Sequence, residues 1–424
     1  MDTKQLKHLS SPRNAVTNNG LFAVLSVIGA GLSYLLYPVL TKFITPTQFG
    51  DVSVVIALAG QIGGLLLAFN VVSIYIVNTR SREDAIRLSE IIQKVLIQVL
   101  LVAMGVVLLL APWLQHSLHL SGSWTILALG SIILLSVPAV VWTGYLQGHN
   151  ELARIGAYNA VSAAAKLGFA AALSLLGWGA VGAVLGVIVG QLLGLWLIKA
   201  FPGTELPAAH KAFSLVRRPE LGLIRPLAGY VTESVVVVGA FSLLFAVDII
   251  IAKMVFPPHA AGVYAGMASL GRVVFYGASI LTWIMLAKLE SQDIRHNRRV
   301  LARYLGLIAL MGGVVVAAFW IGRDPIIRLS LGPAYLAVRD QLWLVGLSQL
   351  VSALLYTYTL YLLVLRRSWP AYLAVIVASL AVTLGAFHPT NPASMLMGLI
   401  IGQVAGWAVF AVVVSAHQAL SRKR

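Results

Sequence analysis

Apolar residues in this chain come in long runs that recur along its whole length. The runs cover residues 18–44, 52–77, 91–112, 124–147, 155–177, 179–199, 227–255, 260–287, 301–321, 341–365, 370–387 and 393–415. Each is about 18 residues or longer, enough to cross a hydrocarbon core as a helix. The pattern predicts an all-α polytopic membrane protein of about 12 transmembrane helices. The first run is too long for the apolar region of a signal peptide and has no convincing cleavage site, so it is read as retained.

Composition agrees. The chain has 424 residues, 59% hydrophobic and 10% charged, against about 25% charged in soluble domains. It has no cysteine, which excludes disulfides, thiol catalysis and Cys-based metal sites. A formal net charge of +16 would suggest nucleic acid in a soluble protein. Here the basic residues gather in alternate loops. With both termini cytoplasmic, most of the 30 Lys and Arg fall on the cytoplasmic side, and Lys42, Arg323, Arg328 and Arg339 fall opposite. This is the positive-inside bias, so the charge reports topology and contact with anionic lipid, with no nucleic acid implied.

Two stretches repeat at half the chain length. "KFITPTQFGDVSVVIALAG" from Lys42 aligns without gaps with "KMVFPPHAAGVYAGMASLG" from Lys253, an offset of 211. "GVIVGQLLG" at 186–194 matches "GLIIGQVAG" at 398–406, an offset of 212. Two matches at nearly one offset indicate internal duplication. The expected organisation is a six-helix half at 1–200, a cytoplasmic linker at 201–225 and a second six-helix half at 226–424. Six spans is an even number, so the repeats are parallel, and transporters of this kind bind substrate in a central cavity between repeats. Glycines at 182, 186, 190 and 194, and at 398, 402 and 406, fall every fourth residue and read as close-packing faces.

Charged residues within spans include Lys166, Glu233, Asp248, Lys253 and Arg272. Arg272 sits about ten residues, or roughly 15 Å, from either end of its span. There it costs at least about 2.5–3.5 kcal/mol. Ser269, Tyr276, Ser279 and Trp283 share its helix face, which belongs against water or protein. Its counterpart in the first half is Gln61. Lys166 repeats the pattern with Asn159 and Ser162. Two cations at similar depth, one per half, would draw an anionic substrate into a cavity; the alternative is structural pairing with Asp248 or Glu233. Asp248 either pairs with a cation or carries a coupling proton or Na⁺, and Glu233 is a second coupling candidate. Lys253 lies near a span end, where snorkelling accounts for it as for Lys42. Tyr356 is a candidate sugar contact with Ser352 and Thr359, or part of an aromatic belt. No Walker A motif occurs, His116 and His119 lack further metal ligands, and "SREDAIRLSE" is not the basic motif of major-facilitator transporters. No cofactor or metal is expected.

The segments "YPVLTKFITPTQFGDVSVV", "GYLQGHNELARIGAYNAVSAAAKLGFA" and "AVDIIIAKMVFPPHAAGVYAGMASLGRVV" resemble the oligosaccharide-flippase (polysaccharide transporter) branch of the superfamily of multidrug and lipid II exporters. The resemblance runs over most of 18–290. It implies a non-enzymatic inner-membrane flippase for polyprenyl-pyrophosphate-linked oligosaccharide, serving O-antigen, exopolysaccharide or a related surface glycan. Arg272 and Lys166 would then match the family's cationic cavity lining, and Asp248 its acidic position at the end of span seven. Polymerases or glycosyltransferases are candidate partners. A cation-coupled small-molecule exporter is the alternative. A membrane-embedded polymerase or ligase ranks third, because the longest outer loop, 322–340, is modest.

Overall fold

A computed structural model of the chain describes residues 12–122, 124–208, 228–286, 288–289, 294–364, 370–387 and 389–421. The described residues form helices and short connections, with no strand among them. In lipid every backbone N–H and C=O must be satisfied internally, and a helix achieves this within one segment. Every predicted span falls on an observed helix. These are α1 (Pro12–Leu40), α2 (Pro46–Thr79), α3 (Arg82–Leu109), α5 (Trp124–Gly148), α6 (Leu152–Leu173), α7 (Gly179–Ala200), α8 (Ala228–Val255), α9 (Pro258–Leu286), α10 (Ile294–Ile321), α12 (Leu342–Val364), α13 (Pro370–Ala386) and α14 (Pro392–Ser421). Two short helices, α4 (Ala111–Ser117) and α11 (Arg323–Ser330), and a 3₁₀ segment (Pro333–Gln341) were not predicted. Nine apolar stretches among the described residues are long enough to cross a membrane, one of them, Leu152–Ala200, holding both α6 and α7. The chain is a multi-pass membrane protein.

The α6–α7 turn shows how one apolar stretch becomes two helices. A single π turn, Ser174–Trp178, follows α6, with Gly177 at φ 89° and Gly179 at φ 53°. Those left-handed conformations suit glycine, which has no Cβ to clash. α7 folds back on α6 so closely that a Cβ on Gly186 would strike the Ala170 backbone and one on Gly190 the Lys166 backbone. The second repeat does the same: Gly398, Gly402 and Gly406 of α14 lie against Leu384, Ala381 and Val377 of α13. Both glycine rows are packing faces, as their spacing suggested.

The repeated glutamines also act alike. Gln191 donates to Ser136 Oγ at 3.0 Å, and Gln403 accepts from Ser352 Oγ at 3.0 Å. Each ties the sixth helix of its half to the fourth.

The fold comprises two compact units. One holds residues 1–40, 66–109 and 130–231, and the other 41–65, 110–129 and 232–424. In the first, α6 packs against both α1 and α7. In the second, α12 packs against α9, α10 and α14, and α13 against α14. Helices α2, α5 and α8 each contribute to both units, changing between Leu65 and Leu66, between Leu129 and Gly130 and between Val231 and Thr232. The predicted linker 201–225 is described only as far as Ala208. There Arg154 gathers the chain: Nε donates to Ile198 O at 2.7 Å and Nη1 to Thr204 O and Glu151 Oε2, each at 3.1 Å. Burial works to raise the Glu151 carboxyl, but hydrogen bonds from Thr204 and Arg154, with the Arg154 charge, outweigh it and hold its pKa below the ordinary value.

Candidate functional site

The helical hairpin α8–α9 builds a buried polar cluster from residues remote in sequence. Val255 ends α8 and Pro258 opens α9, so positions equally far from the turn face each other. Asp248 of α8 and Tyr264 of α9 meet in this way, and the Tyr264 hydroxyl donates to Asp248 Oδ2 at 2.9 Å. Arg272 lies two turns further along α9. Helical Cα–Cβ bonds tilt toward the N-terminus, so its side chain runs back toward the level of Asp248. The guanidinium carbon sits 5.0 Å from the centroid of the Phe245 ring, and its positive charge acts on both Asp248 and Tyr264. Asp248 is 3% exposed and Arg272 2%.

This arrangement supplies a compensation for the buried arginine. A carboxylate of opposite sign lies within electrostatic reach in a low-dielectric interior, where the attraction is large. An aromatic face adds a cation–π contact, about 2 kcal/mol or more when desolvated. Below the guanidinium the aromatic contacts continue: Phe245 to Phe275 at 5.0 Å, Phe245 to Tyr276 at 5.5 Å and Phe275 to Tyr356 at 5.5 Å. Tyr276 is 42% exposed, so the cluster runs from buried charged residues to an open aromatic edge.

The other expected residues divide between the units. Gln61, from α2, donates to Leu243 O on α8 at 3.3 Å, two residues from Phe245. Ser269 is buried, and its hydroxyl returns to the Gly266 carbonyl of its own helix. Arg272, Asp248, Gln61, Tyr276 and Tyr356 therefore belong to one neighbourhood. Lys166, Asn159 and Ser162 stand on α6 in the other unit. Lys166 and Asn159 are half-buried, while Ser162 is buried and its Oγ has no hydrogen-bond partner among the described residues. Glu233 lies on α8, but its side chain, like that of Trp283, falls outside the described residues.

Lys253 corrects the sequence reading. It does not snorkel: it is 1% exposed and its Nζ lies 2.6 Å from Asp51 Oδ1, itself fully buried. Asp51 Oδ2 also accepts the Ser121 backbone N–H at 3.2 Å, and His119 Nδ1 lies 3.0 Å from the Lys253 carbonyl. Asp51 escaped notice because it precedes the second apolar run by one residue. Its partner is 202 positions away, beyond any local signal. Lys42, by contrast, is exposed and donates to Leu329 O at 2.9 Å.

No group of three or more His, Asp or Glu able to hold a metal occurs among the described residues. The arrangement offers a buried carboxylate able to hold a proton and a guanidinium whose fork matches phosphate oxygens.

Solved structures share the fold across nearly the whole chain. The lipid II flippase MurJ in an inward closed conformation matches with TM-score 0.71 at 13% identity, over 93% of this chain and 87% of that one. An inward-facing multidrug resistance MATE family transporter of the MOP superfamily matches with TM-score 0.63 at 14% identity, over 94% and 99%. A Vibrio cholerae MATE transporter matches with TM-score 0.60 at 14% identity, over 94% and 98%. At this identity the likeness is one of fold. No curated protein sequence matches. A profile of the polysaccharide biosynthesis protein family, however, covers residues 16–279, well over half of the chain. The chain belongs to that polysaccharide biosynthesis protein family.

Proposed function

We propose that the protein is a flippase that moves polyprenyl-pyrophosphate-linked oligosaccharide across the cytoplasmic membrane by alternating access of two parallel six-helix repeats. The observation that carries this reading is Arg272, a guanidinium buried mid-span beside aromatic rings that extend to an exposed tyrosine, in a chain of this family. A pyrophosphate headgroup is anionic and its glycan polar, so both need a basic, wet path while the prenyl tail stays in lipid. Arg recognises phosphate by two parallel hydrogen bonds, and tyrosine faces suit sugar rings. On this reading Arg272 and Lys166 receive the headgroup, Gln61, Asn159, Ser162, Ser269, Tyr276 and Tyr356 line the route, and Asp248 and Glu233 are the coupling acids. With Arg272 2% exposed, substrate entry must first open the guanidinium to the cavity.

Both termini and the linker are assigned to the cytoplasm from the Lys and Arg distribution. Outward movement of an anion across an inside-negative membrane is favourable by about 2.3 kcal/mol per charge per 100 mV. Export then needs no ATP, and the protein acts as a transporter with no catalytic step of its own. Polymerases and glycosyltransferases of surface-glycan assembly are the proposed neighbours.

The test is a strain lacking the gene, with inner-leaflet lipid-linked oligosaccharide measured in lipid extracts. Accumulation that the wild-type gene clears supports the reading, and no accumulation refutes it. A second reading, a cation-coupled exporter of small molecules, draws on the buried Asp248 carboxylate and the fold shared with MATE transporters. It predicts altered drug sensitivity with surface glycan intact.

A further inference from the structure

The stretch that revealed the internal repeat packs against its own copy. Residues 42–60 and 253–271 are the two copies, and both lie in one compact unit. At their junction a Cβ on Gly50 would lie 3.1 Å from the Gly262 Cα. A Cβ on Gly262 would strike the Pro46 carbonyl. Two glycines thus bring the first turns of α2 and α9 into backbone contact. Beside that contact lies the buried Asp51–Lys253 pair, at 2.6 Å with side chains 0% and 1% exposed. His119 and Ser121, from the α4–α5 connection, close over it by bonds to the Lys253 carbonyl and the Asp51 carboxylate.

The duplication makes the pair unusual. Under the 211-residue offset Lys253 corresponds to Lys42, and Asp51 corresponds to Gly262. A symmetric junction would hold two Lys–Asp pairs. Only one is possible, because the second acid is replaced by the glycine that lets the helices touch. Lys42 instead bonds the Leu329 carbonyl at the surface. Among the described residues the Asp51–Lys253 pair carries the charge contact between the first half of the sequence and the second at this junction. The elements that build it are the start of α2, the end of α8, the start of α9 and the α4–α5 connection, all at the side opposite the chain termini under the topology above.

We propose that Asp51 and Lys253 form a latch that holds the outer ends of the two repeats shut in the inward-facing state. Opening outward requires the pair to part and water to reach it. Removing one charge strips the closed state of its attraction and leaves the other charge buried, which shifts the population toward the open state. The proposal rests on the alternating-access reading and is indifferent to the cargo.

The absence of cysteine makes the test clean. Ser53, buried in α2 two residues from Asp51, has an Oγ with no hydrogen-bond partner among the described residues, so Ser53→Cys removes no bond. Ser348→Cys, buried in α12 of the same unit, serves as the control. Each is labelled in intact cells with a membrane-impermeant maleimide, alone and combined with Asp51→Asn or Lys253→Met. The latch predicts that the α2 thiol is protected when Ser53→Cys stands alone and labels about tenfold faster or more once either charge is removed, while the α12 thiol stays protected throughout. Faster labelling at both sites would make the pair a general packing element and overturn the proposal. So would no change at the α2 thiol, or labelling confined to inside-out vesicles. If the labelling pattern holds while lipid-linked oligosaccharide is not moved, the cargo assignment fails and the latch stands.

Discussion

Arg272 shows how a charge that looks intolerable in a span acquires an environment from elsewhere in the fold. Its own helix supplied the visible part, the polar face with Ser269 and Tyr276. The rest comes from α8, where Asp248 and Phe245 are brought close by the α8–α9 hairpin. Removing the acid alone takes an opposite charge away from the neighbourhood of a guanidinium that stays buried. We therefore expect Asp248→Asn to lower thermal stability and transport together. Asp248→Asn with Arg272→Gln should recover stability, measured by thermal aggregation in detergent, and leave transport lost. Recovery of both would make the cluster purely structural. Lys253 and Asp51 mark the limit of reading residues singly. A lysine near a span end has two outcomes, lipid headgroup or partner, and the choice is made by an acid 202 positions away.

Hydropathy located every span because it measures what the bilayer demands, but it stopped short at helix ends. α2 begins at Pro46, six residues before its apolar run, and α3 at Arg82, nine before. Backbone hydrogen bonding continues past the hydrocarbon boundary, where charged residues are free to join a helix. The short α4 and α11 were missed because neither has the length or uniform apolarity of a span. Glycine spacing was a better guide, and the α6–α7 contact depends on it. Gly190→Leu places side-chain atoms against the Lys166 backbone and should destabilise the chain by about 1–3 kcal/mol. A lower melting temperature in detergent would show it, and an unchanged one would mean α7 can shift without loss.

The turn that ends α7 carries a pH signature. Glu151 has a depressed pKa, so its contribution is present above the unfolded carboxylate pKa and is lost as pH falls through the folded value. Acidification through that window should loosen the 201–208 segment, seen as a change in emission of Trp142, which bonds Pro207 O at 2.9 Å. Glu151→Gln should flatten this dependence, and a profile unchanged by Glu151→Gln would assign it to another group.

At the scale of the whole molecule the duplication was legible and the compact units were not. Repeated Gln191 and Gln403 make the same bond to serine, and both glycine rows serve the same packing, so the offset in sequence corresponds to equivalent local structure. The units, however, divide α2, α5 and α8 partway along their length. Contacts decide such a division, and a continuous apolar run carries no mark of where its neighbours change. The site was half legible for the same reason. Arg272, Asp248 and the tyrosines stood out as polar groups in apolar runs, whereas Phe245 and Tyr264 looked like ordinary span residues until the hairpin placed them.

The central claim, that this fold moves a pyrophosphate-linked glycan and that Arg272 receives it, is tested most directly with purified protein in liposomes. A fluorescent polyprenyl-pyrophosphate oligosaccharide is placed in both leaflets, and the fraction quenched by an impermeant reductant is followed with time. Wild type should expose essentially all of the probe, Arg272→Ala should expose only the outer-leaflet half, and Arg272→Lys should fall between them. Equal rates for wild type and Arg272→Ala, or no exposure beyond the outer leaflet with folded wild type, would contradict the account.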